Sequence, residues 1–203
     1  MNNIRYPLEL LQKHTLWDGR TVTIRPLRAD DAVRMRAFLT ETSGESRYKR
    51  FQKWVHAPSN TLIHFLTDVD YDRRMAFVCS VSNEAGEELV GEARYAAPPT
   101  GTRCELGIII KDSWRKTGIA GLLMEALIRA ARNRGFEVMD GMVLANNGAM
   151  LRFARALGFA VGPMDDDRET LRIVLNLTHA STGGTGHASK TATPAASASA
   201  KMK

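Results

Sequence analysis

The chain has 203 residues, 44% of them hydrophobic and 25% charged, the make-up of an ordinary globular protein with one well-buried core or at most two small ones. Its net charge is +6, but Lys190, Lys201 and Lys203 supply half of that, so residues 1–177 carry only +3. So mild an excess gives no case for a nucleic-acid groove, though it suits an anionic ligand.

Residues 1–14 read as a lead-in without the continuous apolar core of a signal peptide. "TLWDGRTVTIRPL" (15–27) predicts a hairpin turning at Asp18-Gly19. "RADDAVRMRAFLTE" (28–41) predicts an amphipathic helix, with Ala32, Met35, Phe38 and Leu39 on one stripe and Asp30 or Asp31 near its cap. After the polar "SGESRYKRF" (43–51), "SNTLIHFLTDV" (59–69) predicts a second helix. Three strands are expected next, at 73–82, 88–97 and 102–111, the first two joined by the turn signal "NEAGE". A long helix follows from about Gly118 to Arg134, closed by Gly135 in the usual left-handed position. A strand over 136–145, a helix over 148–157 ended by Gly158 and a last strand over 169–177 complete the order. Residues 178–203 are dominated by Ala, Ser, Thr and Gly and cannot bury enough apolar area to offset their ordering entropy, so a disordered tail is expected there. The pattern predicts one α/β domain with a mixed sheet over residues 15–177.

The two cysteines, Cys79 and Cys104, form neither a disulfide framework nor a metal-ligand spacing, and no metal is expected. No apolar run approaches the roughly 20 residues needed to span a bilayer. A cytoplasmic protein without a membrane partner is the expectation.

"DSWRKTGIAGLLMEALIRAA" (112–131) places a basic pair and two glycines where the long helix begins. The first turn of a helix leaves four N–H groups without partners and carries about half a positive charge. Without a β-carbon at Gly118 an anion can approach that backbone closely, and Arg115 and Lys116 add charge beside it. The segment is neither a Walker loop, since Lys116 precedes Gly118, nor a G-x-G-x-x-G. Taken alone it reads equally as a tight strand-to-helix turn.

Arg115-Lys116-Thr117-Gly118-Ile119-Ala120 resembles the Arg/Gln-x-x-Gly-x-Gly/Ala signature of GCN5-related N-acetyltransferases, the GNAT superfamily. "DGRTVTIRPLRADD", "ESRYKRF", "DYDRRMAFV", "VGEARY" and "ANNGAMLRFARALGF" are similar, in order, to the acetyltransferase domain of bacterial Pat-type protein lysine acetyltransferases. The resemblance covers about residues 17–177 and implies a mostly antiparallel sheet splayed between the family's fourth and fifth strands, flanked by helices. It implies acetyl-CoA as acyl donor, its pantetheine arm pairing with the backbone of Ile108, Ile109 and Ile110. The diphosphate is then expected on Arg115, Lys116, Thr117, Gly118, Ile119 and Ala120. Asn147 matches a contact to the cofactor arm or an ordered water, and reads equally as a helix cap.

Acetyl transfer to an amine needs the amine deprotonated, and a lysine with a pKa of about 10.4 is nearly all ammonium at neutral pH. Glu105 matches the catalytic glutamate of Pat-type enzymes and is the candidate base. In "RCELGIII", Cys104, Leu106, Ile108 and Ile110 share one face while Glu105, Gly107 and Ile109 take the other. An acid in so apolar a strand is expected to be partly desolvated, unless it is paired with Arg94 or Arg103. Glu92 is a second carboxylate that could hold the substrate ammonium, or simply a sheet-surface charge. Cys104 beside Glu105 admits an acyl-cysteine route, although nothing near it in sequence would activate the thiol. Ala154 stands where many relatives have an acidic tyrosine, so water or the amine's own proton would serve the leaving thiolate. The expected function is acetylation of protein lysines by direct attack. Acetylation of a small amine, or a non-catalytic acyl-CoA sensor, are the alternatives, and "SGESRYKRF" is expected to line the acceptor side or to be a solvated basic loop.

Overall fold

The computed structural model describes residues 5–84, 86–164 and 167–178. In chain order the elements are β1 (Gln12–Thr15), β2 (Thr21–Pro26), α1 (Ala32–Glu41), α2 (Gly44–Phe51), α3 (Asn60–Thr67) and β3 (Arg74–Asn83). Then come β4 (Gly86–Ala96), β5 (Arg103–Ile110), α4 (Ile119–Asn133), β6 (Val138–Leu144), α5 (Gly148–Ala156), β7 (Ala160–Met164) and β8 (Asp167–Asn176). The eight strands form one sheet in the order β1-β2-β3-β4-β5-β6-β8-β7, antiparallel everywhere except between β5 and β6.

Strand alternation splits the core between the two faces of this sheet. Met75, Phe77 and Cys79 of β3 turn toward α4, whose Ile119, Leu123, Ala126 and Leu127 form the expected stripe. Ala76 and Val78 turn the other way, against Met35, Phe38 and Leu39 of α1 and Ile63 and Leu66 of α3. Gly135 and Gly158 end α4 and α5 in left-handed conformation, with φ of +77° and +89°. Behind each, an amide two residues past the cap reaches back to the helix, Phe136 to Ala131 at 3.1 Å and Phe159 to Ala154 at 3.0 Å.

The structure departs from the sequence reading in three places. β1 begins at Gln12, inside the expected lead-in, because Gln12 to Thr15 pair with Thr21 to Ile24 across the hairpin. That extra edge strand makes the splayed pair the fifth and sixth strands in chain order. Residues 44–51 are helical rather than loop, with Ser43 capping the Ser46 amide. Ala160–Met164 adds an edge strand that its "AVGPM" pattern did not signal. The tail expected at 178–203 lies outside the described residues beyond Thr178. Among the described residues, no helix is long and apolar enough to cross a membrane, and no cluster of three potential metal-ligating side chains occurs.

Candidate active site

β5 and β6 pair only over Arg103↔Val138, Cys104↔Met139 and Glu105↔Asp140. From Leu106 onward β5 keeps β4 on one edge, while its other edge has no strand partner among the described residues. Gly141 keeps the root of the fork tight, since a β-carbon there would stand 3.2 Å from Leu106 Cγ and 3.3 Å from the Leu106 carbonyl oxygen. The strands then part and open a cleft of about 1200 Å³, lined by β5, β6, the start of α4, α5 and the α2 region.

At the α4 end, Lys116 and Gly118 take left-handed φ values of +63° and +96°. Among the described residues, none of the amides from Lys116 to Ala120 donates to a backbone acceptor. A run of free amides through left-handed residues, at a helix N-terminus, is an anion-binding concavity. A β-carbon at Gly118 or Gly121 would meet nothing within 4 Å, so the concavity is open. The residues present therefore fit a diphosphate here, and the unpaired edge of β5 fits an extended, amide-bearing arm.

Of the expected cofactor residues, Ile108, Ile109, Ile110, Arg115, Lys116, Gly118, Ala120 and Asn147 line the cleft. The Thr117 and Ile119 side chains do not. The Thr117 hydroxyl donates to the Trp114 carbonyl at 2.7 Å, and Ile119 is buried under α4. Only their amides can serve a ligand. The Arg115 guanidinium is already engaged, donating to the Ser46 hydroxyl and lying 3.0 Å from the Asp112 carboxylate. Asp112 in turn accepts from the Ser43 amide at 2.9 Å and the Ser46 hydroxyl at 2.8 Å, which ties the anion loop to the start of α2. Burial works against its charge, but the hydrogen bonds from Ser43 and Ser46 and the nearby Arg115 overcome it and hold its carboxyl below the usual range. Asn147 caps α5, accepting from the Met150 amide at 3.3 Å.

Glu105 sits where the strands separate, and its side chain is exposed rather than desolvated. The partners considered for it are taken: Arg94 pairs with Glu92, and Arg103 lies 2.7 Å from Asp140. Among the described residues Glu105 makes no ion pair and is the one carboxylate lining the cleft. Glu92 is not a surface charge: it is 2% exposed and locked to Arg94, which also donates to the Leu66 carbonyl at 2.7 Å. Cys104 is fully buried, and burial pushes its thiol up to about 12, which removes it as a nucleophile at neutral pH. Ala154 is buried and Phe153 lines the cleft, so neither brings a proton donor.

Sequence reasoning missed Arg50 as an individual residue. It lines the cleft from the last turn of α2, together with Lys49 and Lys53 from the same region. The signal was present: Ser43 as a cap, Glu45 in the first turn, and Lys49 and Arg50 in the last are helix start and stop marks.

A family model described as the acetyltransferase (GNAT) family matches residues 35–159. The chain is 40% identical over 156 residues to acetyltransferase PA5475 of Pseudomonas aeruginosa, covering 77% of this chain and 83% of that protein. It is 30% identical over 141 residues to acetyltransferase Pat of Mycolicibacterium smegmatis, covering 69% of this chain but only 41% of that longer protein. Among solved structures, the GNAT domain of S. lividans PAT superposes with a TM-score of 0.76 at 25% identity, over 85% of this chain and 99% of that one. The fold is also shared with yncA from Salmonella typhimurium, solved with its cofactor acetyl-CoA, at a TM-score of 0.61 and 16% identity, over 81% of this chain and 98% of that one. The chain belongs to the acetyltransferase (GNAT) family. It is an acetyl-CoA-dependent N-acetyltransferase with a Pat-like catalytic domain.

Proposed function

We propose that the protein acetylates lysine side chains of other proteins, by direct attack of the amine on acetyl-CoA with Glu105 as general base. Free amides of residues 116–120 take the diphosphate, with Lys116 adding charge and Arg115 available once it leaves Ser46. The open edge of β5 at Ile108 to Ile110 takes the pantetheine arm, which runs the thioester toward the root of the fork, where Glu105 stands. Asn147 lines that channel while capping α5. Glu105, directly or through a water, takes a proton from the lysine ammonium. The amine nitrogen then attacks the carbonyl carbon, the C–S bond breaks, and the amide product and CoA thiolate separate. Water or the proton released from nitrogen neutralises the thiolate, in place of the tyrosine that Ala154 replaces. A general base of this kind contributes about 10²–10⁴ in rate.

The observation that carries this reading is the exposed, unpaired Glu105 lining a cleft of about 1200 Å³ at the root of the fork. A base accessible from solvent suits a lysine presented on a protein surface. Cationic small amines such as polyamines and aminoglycosides would meet Lys49, Arg50 and Lys53 with only one carboxylate in the lining. A sensor without chemistry would have no use for an unpaired acid there. Turnover of acetyl-CoA against a panel of lysine-bearing proteins, polyamines and aminoglycosides tests the proposal. Nε-acetyl-lysine, located by mass spectrometry and dependent on enzyme, is the expected product. Turnover confined to the small amines would replace the protein acceptor with a metabolite.

A further inference from the structure

The reaction proposed above gives Arg50 no role, although it lines the cleft. Its guanidinium lies on β5 over Gly107, where an added β-carbon would stand 2.3 Å from Cζ and Nη2 and 2.7 Å from Nη1. Only the missing side chain at 107 leaves room for it. Glu105 is two residues along on the same face of β5, and Arg94 stands opposite Gly107 on β4. α2 is held in place by Asp112 at its start and by Arg47 in its middle, which donates to the Leu39 and Val55 carbonyls at 2.8 and 2.7 Å.

Arg50 is half-buried, and an arginine so placed ordinarily closes an ion pair. Two carboxylates, Glu92 and Glu105, and one cation, Arg94, act on Arg50 electrostatically. Glu92 is committed to Arg94, and among the described residues neither carboxylate closes an ion pair with Arg50. The Arg50 Nε is sealed from solvent with no hydrogen-bond acceptor. The Phe51 ring, 5.1 Å from Cζ, steadies the guanidinium without satisfying its donors. Buried donors are rarely left so, and an arginine that lines a binding cleft without an ion-pair partner calls for an acceptor from outside the chain. Lys49 and Lys53 line the same end, so the local field favours an acid.

We infer that Arg50 grips a carboxylate of the acceptor, making the protein select amines that carry a carboxylate close to the nitrogen Glu105 deprotonates. The planar fork of arginine suits bidentate recognition of that group. An Asp or Glu beside a target lysine and the α-carboxylate of a free amino acid offer the same chemistry. The inference rests on the cleft being the acceptor site of acetyl transfer, but not on the acceptor being a protein.

The test uses the full chain, acetyl-CoA and two matched acceptor pairs: a lysine peptide with Glu next to the lysine against the same peptide with Gln, and L-methionine against its carboxamide. Within each pair that is acetylated, kcat/KM is expected to favour the carboxylate by roughly 10–100-fold, chiefly through KM. Arg50→Gln should collapse that ratio toward one and Arg50→Lys should retain part of it, with calorimetric acetyl-CoA affinity reporting an intact fold. Equal kcat/KM within a pair for the unaltered protein overturns the inference without any variant. So does a preference that survives Arg50→Gln. Transfer to methionine alone, with the carboxylate preferred, supports Arg50 and removes the protein acceptor. Equal transfer to both peptides supports the protein acceptor and removes Arg50's role.

Discussion

Gly118 and Gly107 omit a β-carbon for different reasons. At Gly118 the space is empty and the backbone is left-handed at φ +96°, so a side chain there is strained rather than blocked. At Gly107 the backbone is ordinary strand and the space is filled by Arg50. Gly118→Glu adds about 1–2 kcal/mol of backbone strain and sets a carboxylate among the amides meant for a diphosphate. Two like charges 4 Å apart repel by about 1 kcal/mol in bulk water and about 4 near a protein surface. The variant is expected to fold, with its melting temperature lowered by only a few degrees, and to show no calorimetric heat with acetyl-CoA. Retained affinity would place the diphosphate elsewhere.

Among the elements, α1 is fastened by buried charge. Arg25 of β2 is 1% exposed and holds both oxygens of Asp31, at 2.7 and 2.8 Å, just before α1 begins. The same guanidinium reaches Glu87 of β4 at 2.8 Å, and Ser80 of β3 donates to Glu87 at 2.7 Å. Burial opposes the Glu87 charge, but these hydrogen bonds prevail and hold its carboxyl down to about 2. A carboxylate depressed on folding contributes stability that is fully present above its unfolded pKa, near 4.5, and is lost as pH falls toward about 2. Glu87→Gln is therefore expected to melt lower at pH 7, by roughly 2–4 °C for each kcal/mol lost. Between pH 4.5 and 2 its stability should fall less steeply than that of the unaltered chain. Parallel thermal melts across that range check both expectations, and identical slopes would remove Glu87 from the acid response.

At the scale of the molecule, function follows from one parallel junction in an otherwise antiparallel sheet. β5 and β6 share three residue pairs and then diverge, leaving a strand edge, a helix start and a carboxylate around one cleft. Much of this was legible from sequence. The α4 stripe from Ile119 to Ala130, the glycines after α4 and α5, and the alternation of Cys104 to Ile110 are local patterns, and local physics decides them. The parts that were not legible depend on partners distant in the chain. α2 is polar and short, and is held largely by Asp112 and Arg47 rather than by an apolar face. Glu92 is paired and buried because Arg94 and α3 cover it, and Glu105 is exposed because β6 turns away just beyond it. The residue type at 105 is visible in the sequence, but its environment exists only once the sheet has forked.

The most direct measurement is steady-state acetyl transfer by Glu105→Gln at saturating acetyl-CoA. A fall in kcat of roughly 10²–10⁴, with acetyl-CoA affinity unchanged, is the result expected of a base outside the cofactor's grip. A turnover within a few-fold of the unaltered protein would contradict the assignment of Glu105 and require another group to take the amine's proton.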